Sequence, residues 1–169
     1  MRAYIPIIGG MVLWGCASVD TFSPAVGNDV AVSLTREADP STARPMLSAV
    51  FTNRANRAVC FRADVFTNPY SFEVQIQVRD AAGRTISPHE REGFIPPPNP
   101  GLARLEPGSS MRGRYYLYTR AGLPTEADGS PARVQANLGY HYYPCEADER
   151  PGGALIRDLL AGHSGWQWI

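Results

Sequence analysis

The stretch that most limits the fold of this chain is residues 72–79, where Phe72, Val74, Ile76 and Val78 alternate with Glu73, Gln75, Gln77 and Arg79. A period of two sends successive side chains to opposite faces of a strand. One dry face and one wet face suit an antiparallel sheet that covers a core on one side only. Asp80-Ala81-Ala82-Gly83-Arg84 then supplies a turn into Thr85 and Ile86, which predicts a hairpin.

The same alternation recurs along the chain. It sets Val30, Val32 and Leu34 on one face, and likewise Leu47, Ala49 and Phe51, then Met111, Gly113, Tyr115 and Leu117, then Val134, Ala136, Leu138 and Tyr140. Residues 59–66 carry a thiol, and residues 102–105 are short and apolar. Between them lie turn-forming groups such as Asp39-Pro40-Ser41, Asn53-Arg54-Ala55-Asn56 and Glu106-Pro107-Gly108-Ser109. Residues 87–101 hold Pro88, Gly93, Pro96, Pro97, Pro98 and Pro100. Proline donates no backbone hydrogen bond, so this segment is expected to be a surface loop.

No helical pattern stands out before residue 154. Over 154–161, Leu155, Ile156, Leu159 and Leu160 group on one side, which predicts a short helix. The expected fold is all-β: an antiparallel, immunoglobulin-like β-sandwich of about seven strands over residues 30–145. Residues 146–169 form an extension, a short helix or edge segment packed on that domain. Trp166 and Trp168 favour a tail that returns to the sandwich; the alternative is an aromatic hook for a partner or for lipid headgroups.

The 169 residues carry 16 basic and 16 acidic side chains spread along the chain, which leaves no basic footprint for nucleic acid. Every Lys/Arg position is arginine, a pattern that coding bias explains without invoking function. The histidines are His89, His141 and His163. His89-Glu90-Arg91-Glu92-Gly93 lacks the second histidine of a zinc-protease helix. His141 would need Asp64 or Glu146 brought to it, and no nucleophile motif accompanies it. No enzyme activity, metal or cofactor is therefore expected, although an enzyme with a loop-built site near His141 stays as an alternative. Arg112, Arg114, Tyr116 and Tyr118 make the expected binding surface, an aromatic and guanidinium patch for a sugar, peptide or protein.

At the start, Arg2 precedes an uncharged run over residues 3–14, the layout of an export signal and too short to span a bilayer. Leu13-Trp14-Gly15-Cys16 resembles the lipobox of bacterial lipoproteins, with Trp14 where a small residue is usual. The resemblance implies a signal peptide over 1–15, acylation of Cys16, and a lipidated tether over 16–29. Two or more acyl chains give a stable attachment where one does not. Ala17 and Ser18, with no Asp after the cysteine, imply the outer membrane, facing the periplasm. With Cys16 lipidated, Cys60 and Cys145 remain in an oxidising compartment, and a disulfide between them is expected; the competing reading is a metal-binding or catalytic thiol.

Over residues 30–140, the order of Val-x-Ile-x-Val-x-Asp-x-x-Gly-Arg, Leu-Glu-Pro-Gly-Ser and Arg-Tyr-Tyr-Leu resembles small immunoglobulin-like domains that accompany secreted proteases and occur in bacterial envelope proteins. The resulting expectation is a lipid-anchored binding or structural module of the cell envelope, partnered by an envelope protein or glycan. The alternative is an inhibitor or accessory protein for a secreted protease, acting through the 87–101 loop.

Overall fold

In the computed structural model, which describes residues 29–86, 101–117, 123–145 and 159–169, the alternating segments pair into two antiparallel sheets. The elements are β1 (Val30–Ala38), β2 (Pro45–Asn53), β3 (Val59–Arg62), α1 (Asp64–Thr67), β4 (Val74–Arg79), β5 (Thr85–Ile86), β6 (Leu102–Leu105), β7 (Ser110–Tyr116), β8 (Gln135–Pro144), β9 (Leu160–His163) and β10 (Gln167–Trp168). The smaller sheet runs β1-β2-β7. The larger is organised around β8, which pairs with β3, β4, β9 and β10, while β5 and β6 extend it beyond β4 and β3. A β1-β2-β7 layer against a layer centred on β8 matches the division of immunoglobulin-like sandwiches.

The core sits between the sheets. Val32, Leu34, Leu47, Ala49 and Phe51 come from the smaller sheet, and Val74, Val78, Ala136, Leu138, Tyr140 and Tyr142 from the larger. Phe51 lies at its centre, edge-on to Phe61, Phe66 and Tyr140 at centroid distances of 5.4, 5.4 and 5.3 Å. The buried tyrosines keep their hydroxyls satisfied: Tyr140 donates to Val30 O (2.8 Å) and Tyr115 to Val65 O (2.6 Å). Burial pushes both phenols above their usual pKa, Tyr115 also through the nearby Asp64 carboxylate. Asn53 ends β2 fully buried, its amide donating to Arg57 O and Leu105 O and accepting from Ala55 N. The turn expected at 53–56 is therefore pinned by its own first residue.

Two boundaries differ from the sequence reading. β4 starts at Val74, and Phe72 is left exposed in the preceding turn, because the chain between β3 and β4 makes an excursion. That excursion contains α1, a helical turn that periodicity does not reveal. It packs beside the edge strand β7, where a Cβ at Gly113 would come within 2.9 Å of Val65 O, so the missing side chain permits the approach. An edge covered in this way is closed to pairing with another chain.

The helix expected over 154–161 is corrected at its described end, since Leu160 and Ala161 belong to β9 and pair with Tyr142 and His141. Four open backbone partners on β8 outweigh the weak helical pattern of the segment. Within β9, a Cβ at Gly162 would collide with the Tyr140 ring, so glycine is needed for the strand to lie this close.

The C-terminus does return to the sandwich. Gln167 faces inward opposite Ala136, and its amide behaves like a piece of backbone: Oε1 accepts from Leu34 N (2.9 Å), while Nε2 donates to Val32 O (2.7 Å) and Ser164 O (3.0 Å). One side chain thus joins β10 of the larger sheet to β1 of the smaller. Gln167→Leu keeps the volume and strands these groups, each costing about 1–3 kcal/mol if shielded from water. The expected result is faster amide exchange at Leu34 and earlier proteolytic trimming of the tail; unchanged exchange at Leu34 would contradict this role.

Candidate functional site

The outward residues of the larger sheet form a platform whose rows follow from the strand register. One row is Gln75, Gly139 and His163 across β4, β8 and β9, and the next begins with Gln77 and Asn137. A third is Arg79, Gln135 and Trp168 across β4, β8 and β10. The polar set read from residues 72–79 as a wet face is thus one side of this platform.

A local irregularity aims Trp166 over it. Between β9 and β10, residues 164–166 stand opposite only Leu138 and Asn137, so one extra residue is accommodated. Gly165 takes φ +70°, and Ser164 satisfies the interrupted ladder by accepting from Leu138 N at its Oγ and donating its own N–H to Leu138 O. A bulge of this kind redirects the side chains around it. The result is that His163, Trp166 and Trp168 are all exposed. Arg79 lies over the Trp166 ring at 4.1 Å and donates from Nε to Gln135 Oε1 at 2.6 Å; Arg133 lies over Trp168 at 5.4 Å. Trp166 is 38% exposed and Trp168 47%. The tail is paired through its backbone, and its indoles still face solvent beside cations.

Between these side chains is a depression of about 520 Å³, lined by Gln75, Gln77, Asn137, Gly139, His163 and Trp166, with Thr85 and Gly165 at its margin. The volume is in the usual range of small-ligand sites, about 300–1,000 Å³. No carboxylate or arginine lines it among the described residues. Asn137 Nδ2 reaches Gln77 Oε1 at 3.3 Å, while Asn137 Oδ1 is shielded from water and has no hydrogen-bond partner among the described residues.

The Arg/Tyr patch expected from sequence lies on the other sheet. Arg112 and Arg114 project from β7 toward one carboxylate, Glu37, at 3.9 and 3.3 Å, and border a smaller depression of about 330 Å³ beside Phe66, Thr67 and Pro69. Exposed pairs like these contribute roughly 0–1 kcal/mol. Tyr116 stacks near Tyr70 and donates its hydroxyl to Asp39 Oδ2 at 2.7 Å. Asp39 also accepts from Ser41 and Thr42; the Tyr116 bond foremost, then these, hold its carboxyl well below the usual range. Tyr118 lies outside the described residues, as do Cys16, Glu146 and all of the 87–101 loop except Gly101.

His141 meets Glu73, and Glu146 lies outside the described residues. Its Nδ1 is 3.2 Å from Glu73 Oε2, Glu73 Oε1 is 3.4 Å from Arg62, and Arg62 Nε is 3.4 Å from Asp64 Oδ1. Asp64 therefore connects to His141 through two intervening groups. Ser71, the hydroxyl in this chain, is fully buried and donates to Asp64. Cys60 and Cys145 are joined as a disulfide and are not free thiols, which removes the metal or catalytic reading of them. Among the described residues no group of three or more His, Cys, Asp or Glu is arranged for a metal ion, and no helix is long and apolar enough to cross a membrane.

Sequence reasoning missed the groove because its components are unremarkable singly: three carboxamides, two glycines and an indole in three separate segments. The available signal was Ser164-Gly165-Trp166 following a strand, together with Gly139 in the middle of an alternating one. Compared with protein-family models and with curated proteins, the chain matches none.

Proposed function

We propose that this protein is a recognition module of the bacterial cell envelope, tethered by lipid on Cys16 and binding its ligand in the groove on the outer face of the larger sheet. The observation that carries the binding half is the bulge-aimed Trp166 beside an uncharged, amide-lined depression. An exposed indole beside a polar depression suits a binding surface, where aromatic residues are enriched. The location half rests on the resemblance of Leu13-Trp14-Gly15-Cys16 to a lipobox, with the buried Cys60–Cys145 disulfide in keeping with an oxidising compartment.

On this reading residues 16–29 are a leash and the sandwich is the head. No chemical step is required of the head, which serves by holding a ligand near the membrane. The test is metabolic labelling of cells carrying the full chain with an alkyne-tagged fatty acid. The wild type is expected to carry label and to sediment with membranes, and Cys16→Ser to lose both. An unlabelled, soluble product that still begins at Met1 would overturn the envelope assignment.

A further inference from the structure

We propose that the groove binds an uncharged saccharide, with Trp166 as the stacking platform, Gln75, Gln77 and Asn137 as the hydroxyl-reading groups, and Gly139 in the floor. This deepens the recognition reading above and rests on it. Four independent features of the site converge on that ligand class.

The first is charge. Apart from His163, the lining holds no ionisable side chain among the described residues, and Arg79 is engaged over the Trp166 ring and on Gln135. A ligand with a formal charge would lose hydration without a partner of opposite sign in the groove. The second is hydrogen-bond chemistry. Each carboxamide offers both donors and an acceptor, and so matches a sugar hydroxyl, which is donor and acceptor at once.

The third is the indole. The axial C–H bonds of a pyranose are electropositive and meet the negative face of an aromatic ring, while the ring edge and hydroxyls reach neighbouring amides. Trp166 lines the groove although Arg79 lies over it, so it presents surface to the groove as well as to the cation. The fourth is the floor. Gly139 lines the depression from the middle of β8, in register between Gln75 and His163, and is itself buried. A glycine inside a strand weakens it, and close approach of a ligand is one of the few reasons to keep it there.

An extended peptide is the competing occupant. Peptides held by sheets add as a strand along an exposed edge, where main-chain groups are open. This groove lies on the face of β4, β8 and β9 and not along an edge, and β8 is paired with both of the others.

The test uses the full-length protein in detergent, titrated separately with chitotetraose, cellotetraose and maltotetraose, and with an uncharged alanine- and serine-rich peptide. Trp166 itself lines the groove, so the readout is intrinsic fluorescence backed by calorimetry. Saturable binding of at least one saccharide is expected, weakened tenfold or more by Trp166→Ala and by Gln77→Ala. Gly139→Val, which suits a strand and adds bulk to the floor, should abolish it, circular dichroism checking that the sheet is retained. Saccharide binding that persists in all three variants would remove the ligand from this groove. Peptide binding alone, blocked by Gly139→Val, would overturn the saccharide and leave the recognition reading standing. If neither ligand binds, both readings fall at this site.

Discussion

Phe51→Ala is expected to destabilise the domain by about 3–5 kcal/mol, the range for emptying a large aromatic site in a core that cannot collapse around the gap. Phe51 is fully buried in the middle of β2 and meets Phe61, Phe66 and Tyr140 edge-on. Those partners belong to β3, α1 and β8, so the lost ring had bridged the smaller sheet to the larger one and to the helical turn. Collapse is hindered because Tyr140 is fixed at its far end by the bond to Val30 O. Edge-to-face pairs add about 0.5–1.5 kcal/mol each beyond burial, not additively. Urea unfolding measures the effect as a fall in midpoint at constant slope. Phe51→Leu should cost well under half as much, since most of the volume stays. A Phe51→Ala loss below about 1 kcal/mol would mean that the interior repacks freely, against the picture of a specified core.

The sandwich was legible because its signal is collective. Alternation at Val74, Ile76 and Val78, or at Ala136, Leu138 and Tyr140, states which face is dry without reference to any partner strand. What could not be read was whatever depended on a partner. Leu160 and Ala161 carry a faint helical grouping, and they are strand because β8 has an open edge for them. Asp64 to Thr67 form a turn of helix because Val65 has a slot against Gly113, a fact about β7 and not about the residues themselves.

The site shows the same division. Arg112, Arg114 and Tyr116 were expected as a surface from their composition, and they do share a face; their carboxylate partners, Glu37 and Asp39, come from a strand and a turn more than seventy positions away in sequence. The groove needed three strands in register and a bulge, so Gln75, Gly139 and His163 could be placed side by side only once the pairing was known. Local chemistry can nominate side chains, but the pairing decides whether they are occupied or available.

Converting Cys60 and Cys145 together to alanine is expected to lower stability by about 4 kcal/mol, a drop in melting temperature of roughly 10–20 °C for a domain of this size. The bond closes a loop of 85 residues, from the beginning of β3 to the end of β8. The Cα atoms are 5.0 Å apart, inside the usual span of about 4.4–6.8 Å. That distance is set by the sheet itself, because Cys60 lies opposite Tyr143, two residues before Cys145. The folded chain therefore gives up little to form the bond, and its main effect falls on the unfolded chain, whose ends it holds together. Alanine is the right replacement, since both sulfurs are buried beside Ala58 and a serine hydroxyl there would need a partner. Protein reduced under mildly denaturing conditions and then alkylated should match the double variant. The same comparison bears on location: a chain made where thiols stay reduced would carry this deficit throughout its life, whereas export restores it. A double variant that melts within two or three degrees of the wild type would show that β3 and β8 are held by the sheet alone, and the disulfide would then say nothing about where the protein resides.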